Sequence, residues 1–219
     1  MDRKSPLAGL VLAASVIAGV SYVASWNMAL PEGVGTAWKG AGVALLAVYA
    51  GLRARNFDGW LICAVMAFGA LGDVLLETHG LNVGAIAFLV GHLIAIGLYL
   101  RHRRRGLSNA DKLALAVLVP AVAIAAYLLP ADRSLGAGAA LYSLGLAIMA
   151  ACAWASRFPR TLVGLGAAMF VVSDLLIFGR AGPLAGAAWV GLAIWGLYYF
   201  GQLLICVGVV RGLGRARRL

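Results

Sequence analysis

Two carboxylic acids stand inside apolar sequence in settings that repeat. They are Gly72-Asp73-Val74-Leu75-Leu76 and Ser173-Asp174-Leu175-Leu176-Ile177, offset by 101 residues (174 less 73). Two carboxyls sharing a site of low polarity cannot both ionise cheaply, so one is expected to keep its proton near neutral pH while the other stays charged. That supplies one acid and one base, the least equipment for acid-assisted hydrolysis without metal, covalent nucleophile or cofactor. Lys39 is a third charge in an apolar run. An Asp or Lys at the centre of a membrane helix costs about 2.5–3.5 kcal/mol on insertion scales, so keeping three implies mutual pairing, a wet cavity or a function. The competing readings are structural: Lys39 has a stem long enough to snorkel to the surface, and an Asp73, Lys39 and Asp174 cluster could serve packing alone. The aspartates are too short to snorkel.

Other polar groups rank behind these three. Glu77 follows Asp73 by four residues on the same helical face, where it is a solvated rim residue or a charge acting on Asp73, the rim being favoured. His92 is the one histidine within an apolar run, since His79 and His102 fall at run ends, so three imidazoles cannot converge on a zinc ion and no metal site is expected. A lone intramembrane histidine is most often an interhelical hydrogen-bond partner. Tyr198 and Gln202 stand one turn apart in the last run, and Tyr142 occupies the level of Lys39 in the other half of the chain; each could line the same cavity or simply pack. Ser173 sits beside Asp174 and is a candidate lining residue, but neighbours on a helix point in different directions and no GxSxG elbow occurs, so a Ser/His/Asp set is not apparent. Cys63, Cys152 and Cys206 are widely separated in apolar runs and read as packing residues.

The elements that must hold these groups follow from composition. Of 219 residues, 63% are hydrophobic and 12% charged, and the mean hydropathy is +0.94, values foreign to a soluble domain. Apolar runs lie at about 7–26, 34–52, 59–76, 81–100, 113–129, 137–156, 161–178 and 184–210. They predict an all-α integral membrane protein of eight transmembrane helices in a single domain. The first run is long for a signal peptide and ends in Tyr22 and Trp26, which suit an interface, so it is kept as a helix.

With a cytoplasmic N-terminus, fifteen of the eighteen basic residues fall on the inner side: Arg3, Lys4, Arg53, Arg55, Arg101, Arg103, Arg104, Arg105, Lys112, Arg157, Arg160, Arg211, Arg215, Arg217 and Arg218. The outer side receives Arg133 and Arg180. This asymmetry holds only for eight helices and places the C-terminus inside as well. The net charge of +10 is therefore topological, and no nucleic-acid partner is expected; a basic tail binding anionic lipid is the lesser reading. The Arg-rich, Lys-poor, Ala/Gly-heavy composition suggests a GC-rich bacterium, hence an inner membrane.

The same offset brings Gly91 near Gly191 and Gly97-Leu98-Tyr99 near Gly196-Leu197-Tyr198. Four helices per half, about 1–106 and 107–219, would give parallel repeats about an axis along the membrane normal and set the two aspartates face to face. At 1.5 Å per residue, Asp73 and Asp174 lie ~20 Å from the inner helix ends and Lys39 ~8 Å from the outer end, roughly one level in a ~30 Å core.

Lys39, Gly72-Asp73, Phe88 with His92, Ser173-Asp174-Leu175 and Tyr199-Phe200-Gly201-Gln202-Leu203-Leu204-Ile205 together resemble the YhhN family of multi-pass membrane proteins, whose animal members are lysoplasmalogenases. The resemblance spans nearly the whole chain. The family often has Pro after the lysine and Tyr shortly after the histidine, where Gly40 and Ala95 stand here. The resemblance implies cleavage of the vinyl ether bond of lysoplasmalogens to a fatty aldehyde and a glycerophospho-headgroup compound. It implies Asp73 and Asp174 as catalytic groups, a lysophospholipid substrate taken from membrane lipid, and no cofactor. The acid would protonate the vinyl β-carbon, the base would stabilise the oxocarbenium-like state and guide water, and either aspartate could play either part. Lys39 could meet phosphate or pair with a carboxylate.

Two rivals use the same residues. An intramembrane aspartyl protease also employs two helix-borne aspartates, but its GxGD signature is one residue shorter than Gly69-Ala70-Leu71-Gly72-Asp73. A small transporter or proton-coupled carrier would equally suit parallel repeats and buried charges at one depth.

Overall fold

A chain immersed in lipid must satisfy its own backbone hydrogen bonds, which a helix does within one segment. The computed structural model describes residues 6–215. Over these run α1 (Pro6–Ser25), α2 (Val34–Arg53), α3 (Phe57–His79), α4 (Leu81–Arg101), α5 (Asn109–Leu128), α6 (Gly136–Ala155), α7 (Leu165–Arg180) and α8 (Trp189–Arg215). Among the described residues, seven helical segments are long and apolar enough to cross a membrane, and α2 is the exception among the eight expected spans. Thr36, Lys39, Arg53 and the glycines at 35, 40, 42 and 51 dilute its apolar character. Four basic residues assigned to the inner side, Arg3, Lys4, Arg217 and Arg218, lie outside the described residues.

Local chemistry fixes the ends. Helix α5 begins before the expected residue 113, because Ser108 Oγ accepts a hydrogen bond from the Asp111 N–H at 3.0 Å and caps the first turn. The seventh expected run opens as one wide turn, Arg160–Gly164, in which the Leu165 N–H donates to the Arg160 carbonyl five residues back. Three hydrogen bonds hold that turn. Asp111 accepts from Arg160 at 2.9 Å, from the Trp154 indole at 3.0 Å and from the Ser108 hydroxyl at 2.9 Å, and the Arg160 guanidinium lies 4.9 Å over the Trp154 ring. The eighth run was expected from 184, yet α8 starts at Trp189. Gly182, Pro183 and Gly186, the last with φ 77°, turn the chain first. Before α6, Asp132 accepts from the Ser134 N–H at 2.9 Å, and bonding to Ser134 holds its carboxyl below the ordinary range.

The corner between α3 and α4 is a single glycine. Gly80 has φ 84° and ψ 177°, a region essentially closed to residues with a Cβ. Gly80→Ala is expected to cost about 1–3 kcal/mol, read as a lower thermal midpoint in detergent.

The chain forms two compact units, one running up to Ala95 and resumed from Leu213, the other Ile96–Gly212. In the first, α1 packs on α2 and α2 on α3. Ser15 Oγ donates to the Gly42 carbonyl at 2.6 Å, the Trp38 indole donates to Ser21 Oγ at 3.1 Å, and Leu46, Ile62 and Met66 are fully buried. In the second, α5 packs on α6 and both meet α7, with Leu146, Met149 and Val163 at its centre. Here the residues after α4 are clipped to those after α6: Arg104 Nε donates to the Ser156 carbonyl at 2.6 Å and the Arg157 N–H to the His102 carbonyl at 2.7 Å. Leu10, Ile17, Trp60, Ile86, Leu113, Leu141 and Leu192 are exposed, as suits surfaces that face lipid acyl chains rather than water.

Candidate functional site

In the first unit, α3 presents Asp73 and Glu77 one turn apart. Asp73 is 2% exposed, whereas Glu77 is exposed. Lys39, reaching from α2, makes its ion pair with Glu77, Nζ to Oε1 at 2.6 Å. The close approach of α2 to α3 makes this reach possible: a methyl placed on Gly40 would come within 3.0 Å of Val74 Cγ2. Gly72, just before the acid, is the seat of the Phe88 ring, which would stand 2.8 Å from a Cβ there. His92, one turn beyond Phe88 on α4, is buried. The Gly-Asp pair thus has a packing reason: glycine admits an aromatic ring against α3 immediately beside the carboxylate.

In the second unit, α7 presents Ser173 and Asp174, both buried. Tyr142 of α6 donates its hydroxyl to Asp174 Oδ2 at 2.6 Å. Its ring stands edge-on to Phe178, 6.4 Å between centroids at 72°, and packs with Leu129 and Leu175 against Ala126 and Ala139. Ser173 donates to the Ile194 carbonyl of α8 at 2.9 Å, so its hydroxyl ties two helices together and its proton is not poised for nucleophilic attack. Tyr198 of α8 packs edge-on against Phe170 at 5.2 Å, and Gln202, one turn later, is buried. The α7 and α8 backbones touch at Gly166 and Gly201, where a Cβ on Gly166 would lie 2.6 Å from the Gly201 carbonyl oxygen.

The structure therefore brings Lys39 together with Glu77, Tyr142 with Asp174, and Ser173 with α8. Asp73 belongs to the first unit and Asp174 to the second. Sequence reasoning missed Phe178 and the Ile194 carbonyl. Phe178 had a signal, since it stands 101 residues after Glu77 and one turn after Asp174. A backbone carbonyl has none.

A family-wide sequence model described as the YhhN family matches residues 34–209 of this chain, a range that contains every candidate residue above. Curated relatives named lysoplasmalogenase, from Mycobacterium bovis (strain ATCC BAA-935 / AF2122/97) and Mycobacterium tuberculosis (strain CDC 1551 / Oshkosh), are each 30% identical over 162 residues. That stretch is 70% of this chain and 61% of each relative, so the chain matches about three fifths of their length. No solved structure matches it significantly.

Proposed function

The chain belongs to the YhhN family, and from that premise we propose that it is a lysoplasmalogenase-like hydrolase of the membrane that cleaves the vinyl ether bond of lysoplasmenylcholine or lysoplasmenylethanolamine. Fatty aldehyde and glycerophosphocholine or glycerophosphoethanolamine are the products. The observation that carries the reading is the burial of two acids of matching sequence setting, Asp73 at 2% and Asp174 at 5% exposure, in a chain similar to proteins of that name. Buried carboxyls are costly and are kept where they act. They are the acid and base of the reaction, and no metal or cofactor enters it. The protein crosses a bacterial inner membrane eight times, α2 included, with both termini in the cytoplasm, which is the arrangement that keeps the basic loops on one side.

Purified protein in detergent, given lysoplasmenylcholine, is expected to release aldehyde, measured by coupled reduction. No aldehyde, with substrate-dependent flux in proteoliposomes, would replace the hydrolase with a carrier; cleavage of a transmembrane peptide would replace it with a protease.

Lys39 is the rim cation that meets the substrate phosphate. Because Glu77 competes for it, the two substitutions act in opposite directions. Lys39→Met is expected to raise KM roughly 10–100-fold, the value of a charge-assisted hydrogen bond, with kcat nearly unchanged, whereas Glu77→Gln lowers KM. Initial rates against substrate concentration check both.

A further inference from the structure

We propose that the two clipped loops of the second unit form a fixed docking site for an anionic phospholipid, whose phosphate lies against Arg103 and Arg157 and whose acyl chains run along the exposed face of α5. Residues 101–112 and 155–165, which join α4 to α5 and α6 to α7, carry seven basic side chains and one acid, Asp111. Asp111 is held by Arg160 at 2.9 Å, so it balances one of the seven.

A charge bias between the two sides of a membrane asks only that basic residues fall in the connections, and loose loops would serve. These connections are not loose. The Arg104 N–H donates to the Ala155 carbonyl at 2.9 Å and the Arg157 N–H to the His102 carbonyl at 2.7 Å, which sets Arg103 opposite Ser156 as an isolated antiparallel bridge. Side chains cross the same seam. Arg104 reaches the Ser156 carbonyl at 2.6 Å and the Phe158 carbonyl at 3.4 Å, while Arg157 Nε donates to the Arg103 carbonyl at 3.2 Å. Phe158, 3% exposed, anchors the seam beneath the rings of Tyr99 and His102, at 6.2 and 5.0 Å between centroids. Arg103, Arg105 and Arg157 are exposed on this clip, and Lys112 is exposed on the first turn of α5 beyond it.

Bringing like charges from two loops to one seam costs free energy, which an anion bound there offsets. Guanidinium groups suit a phosphate in particular, because their paired N–H donors match two of its oxygens. The surroundings select a lipid over a soluble phosphate. Immediately past Asp111 on α5, Leu113 and Val117 stand one turn apart at 68% and 57% exposure, and Trp154, whose indole donates to Asp111, offers the aromatic ring expected at headgroup level. A charged ledge thus continues into an apolar strip, as the headgroup of a phospholipid continues into its chains. This lipid is not the substrate, since Asp174 lies about 20 Å along the seventh run from Arg160. The site therefore stands or falls apart from the hydrolase reading.

Native mass spectrometry of the full-length protein in neutral detergent, titrated with phosphatidylglycerol, tests the site. The parent is expected to retain one phosphatidylglycerol more tightly than phosphatidylcholine, and glycerophosphoglycerol, the same headgroup without chains, is expected not to displace it. Arg103→Gln/Arg157→Gln is expected to weaken retention roughly 10–30-fold. Arg105→Gln/Lys112→Gln, which leaves every hydrogen bond of the clip in place, is expected to weaken it in the same direction with the thermal midpoint unmoved. Arg53→Gln/Arg215→Gln removes two charges from the first unit and is expected to change retention less than about threefold. Equal retention of phosphatidylcholine, parent-level retention in both loop variants, or an equal loss in Arg53→Gln/Arg215→Gln overturns the site. Displacement by glycerophosphoglycerol overturns the lipid in favour of a soluble phosphodiester.

Discussion

Asp73→Asn and Asp174→Asn are each expected to lower aldehyde release by about 10²–10⁴-fold, the contribution of a positioned acid or base, in protein that remains folded. Asparagine fills nearly the same space as aspartate but can neither give a proton to carbon nor take one from water. Under the proposed reaction the two acids serve one turnover, so their effects do not add, and the double variant is expected to be no slower than the worse single one. Stability moves the other way. A buried carboxyl is an expensive group, so exchanging it for a neutral amide leaves the thermal midpoint unchanged or raises it. Aldehyde release and thermal unfolding, measured on the same preparations, check both halves. Substantial hydrolysis in either variant would remove the acid-base mechanism.

Gly166→Ala couples the two quantities that the aspartate variants separate. Its methyl would stand 2.6 Å from the Gly201 carbonyl oxygen and 3.1 Å from the Ile205 nitrogen. Both are backbone atoms, so no side chain can turn aside and α7 and α8 must part. Overpacking of this kind costs about 1–3 kcal/mol or more, several degrees of thermal midpoint for a chain of this size. The separation also pulls the Ile194 carbonyl from Ser173 and carries Tyr198 and Gln202 away from α7. Activity and thermal midpoint are expected to fall together, and Gly201→Ala to behave alike, since its methyl would lie 2.8 Å from the Gly166 carbonyl oxygen. Gel filtration after heating, beside the aldehyde assay, checks this.

Much of this architecture is legible in the sequence because lipid imposes so simple a rule: eight apolar runs became eight helices in the expected order. The rule fails where turn residues are themselves apolar. Residues 184–188 read as the start of a helix because they are leucine, alanine and glycine, yet the chain is still turning there, with Gly186 at φ 77°. In α2 the same hydropathy that reveals a helix is too diluted by Lys39 and glycine to mark a span. The acids stood out because a charge in an apolar run is costly. Their partners did not, because pairing depends on which helix faces are in contact: Lys39 and Glu77 are 38 residues apart, and Tyr142 and Asp174 are 32 apart. The Asp111–Arg160 ion pair, 49 residues apart, gave no sign at all.

The wide turn at Arg160–Gly164 spends about one residue more than an ordinary helical turn, which rotates everything beyond it by roughly 100° about the axis. A helical wheel drawn from Arg160 at constant pitch would assign Asp174 and Ser173 to the wrong meridian. The clamp that Asp111 and Trp154 place on Arg160, near the opposite end of the helix, thereby sets the azimuth at which the acid arrives against Tyr142.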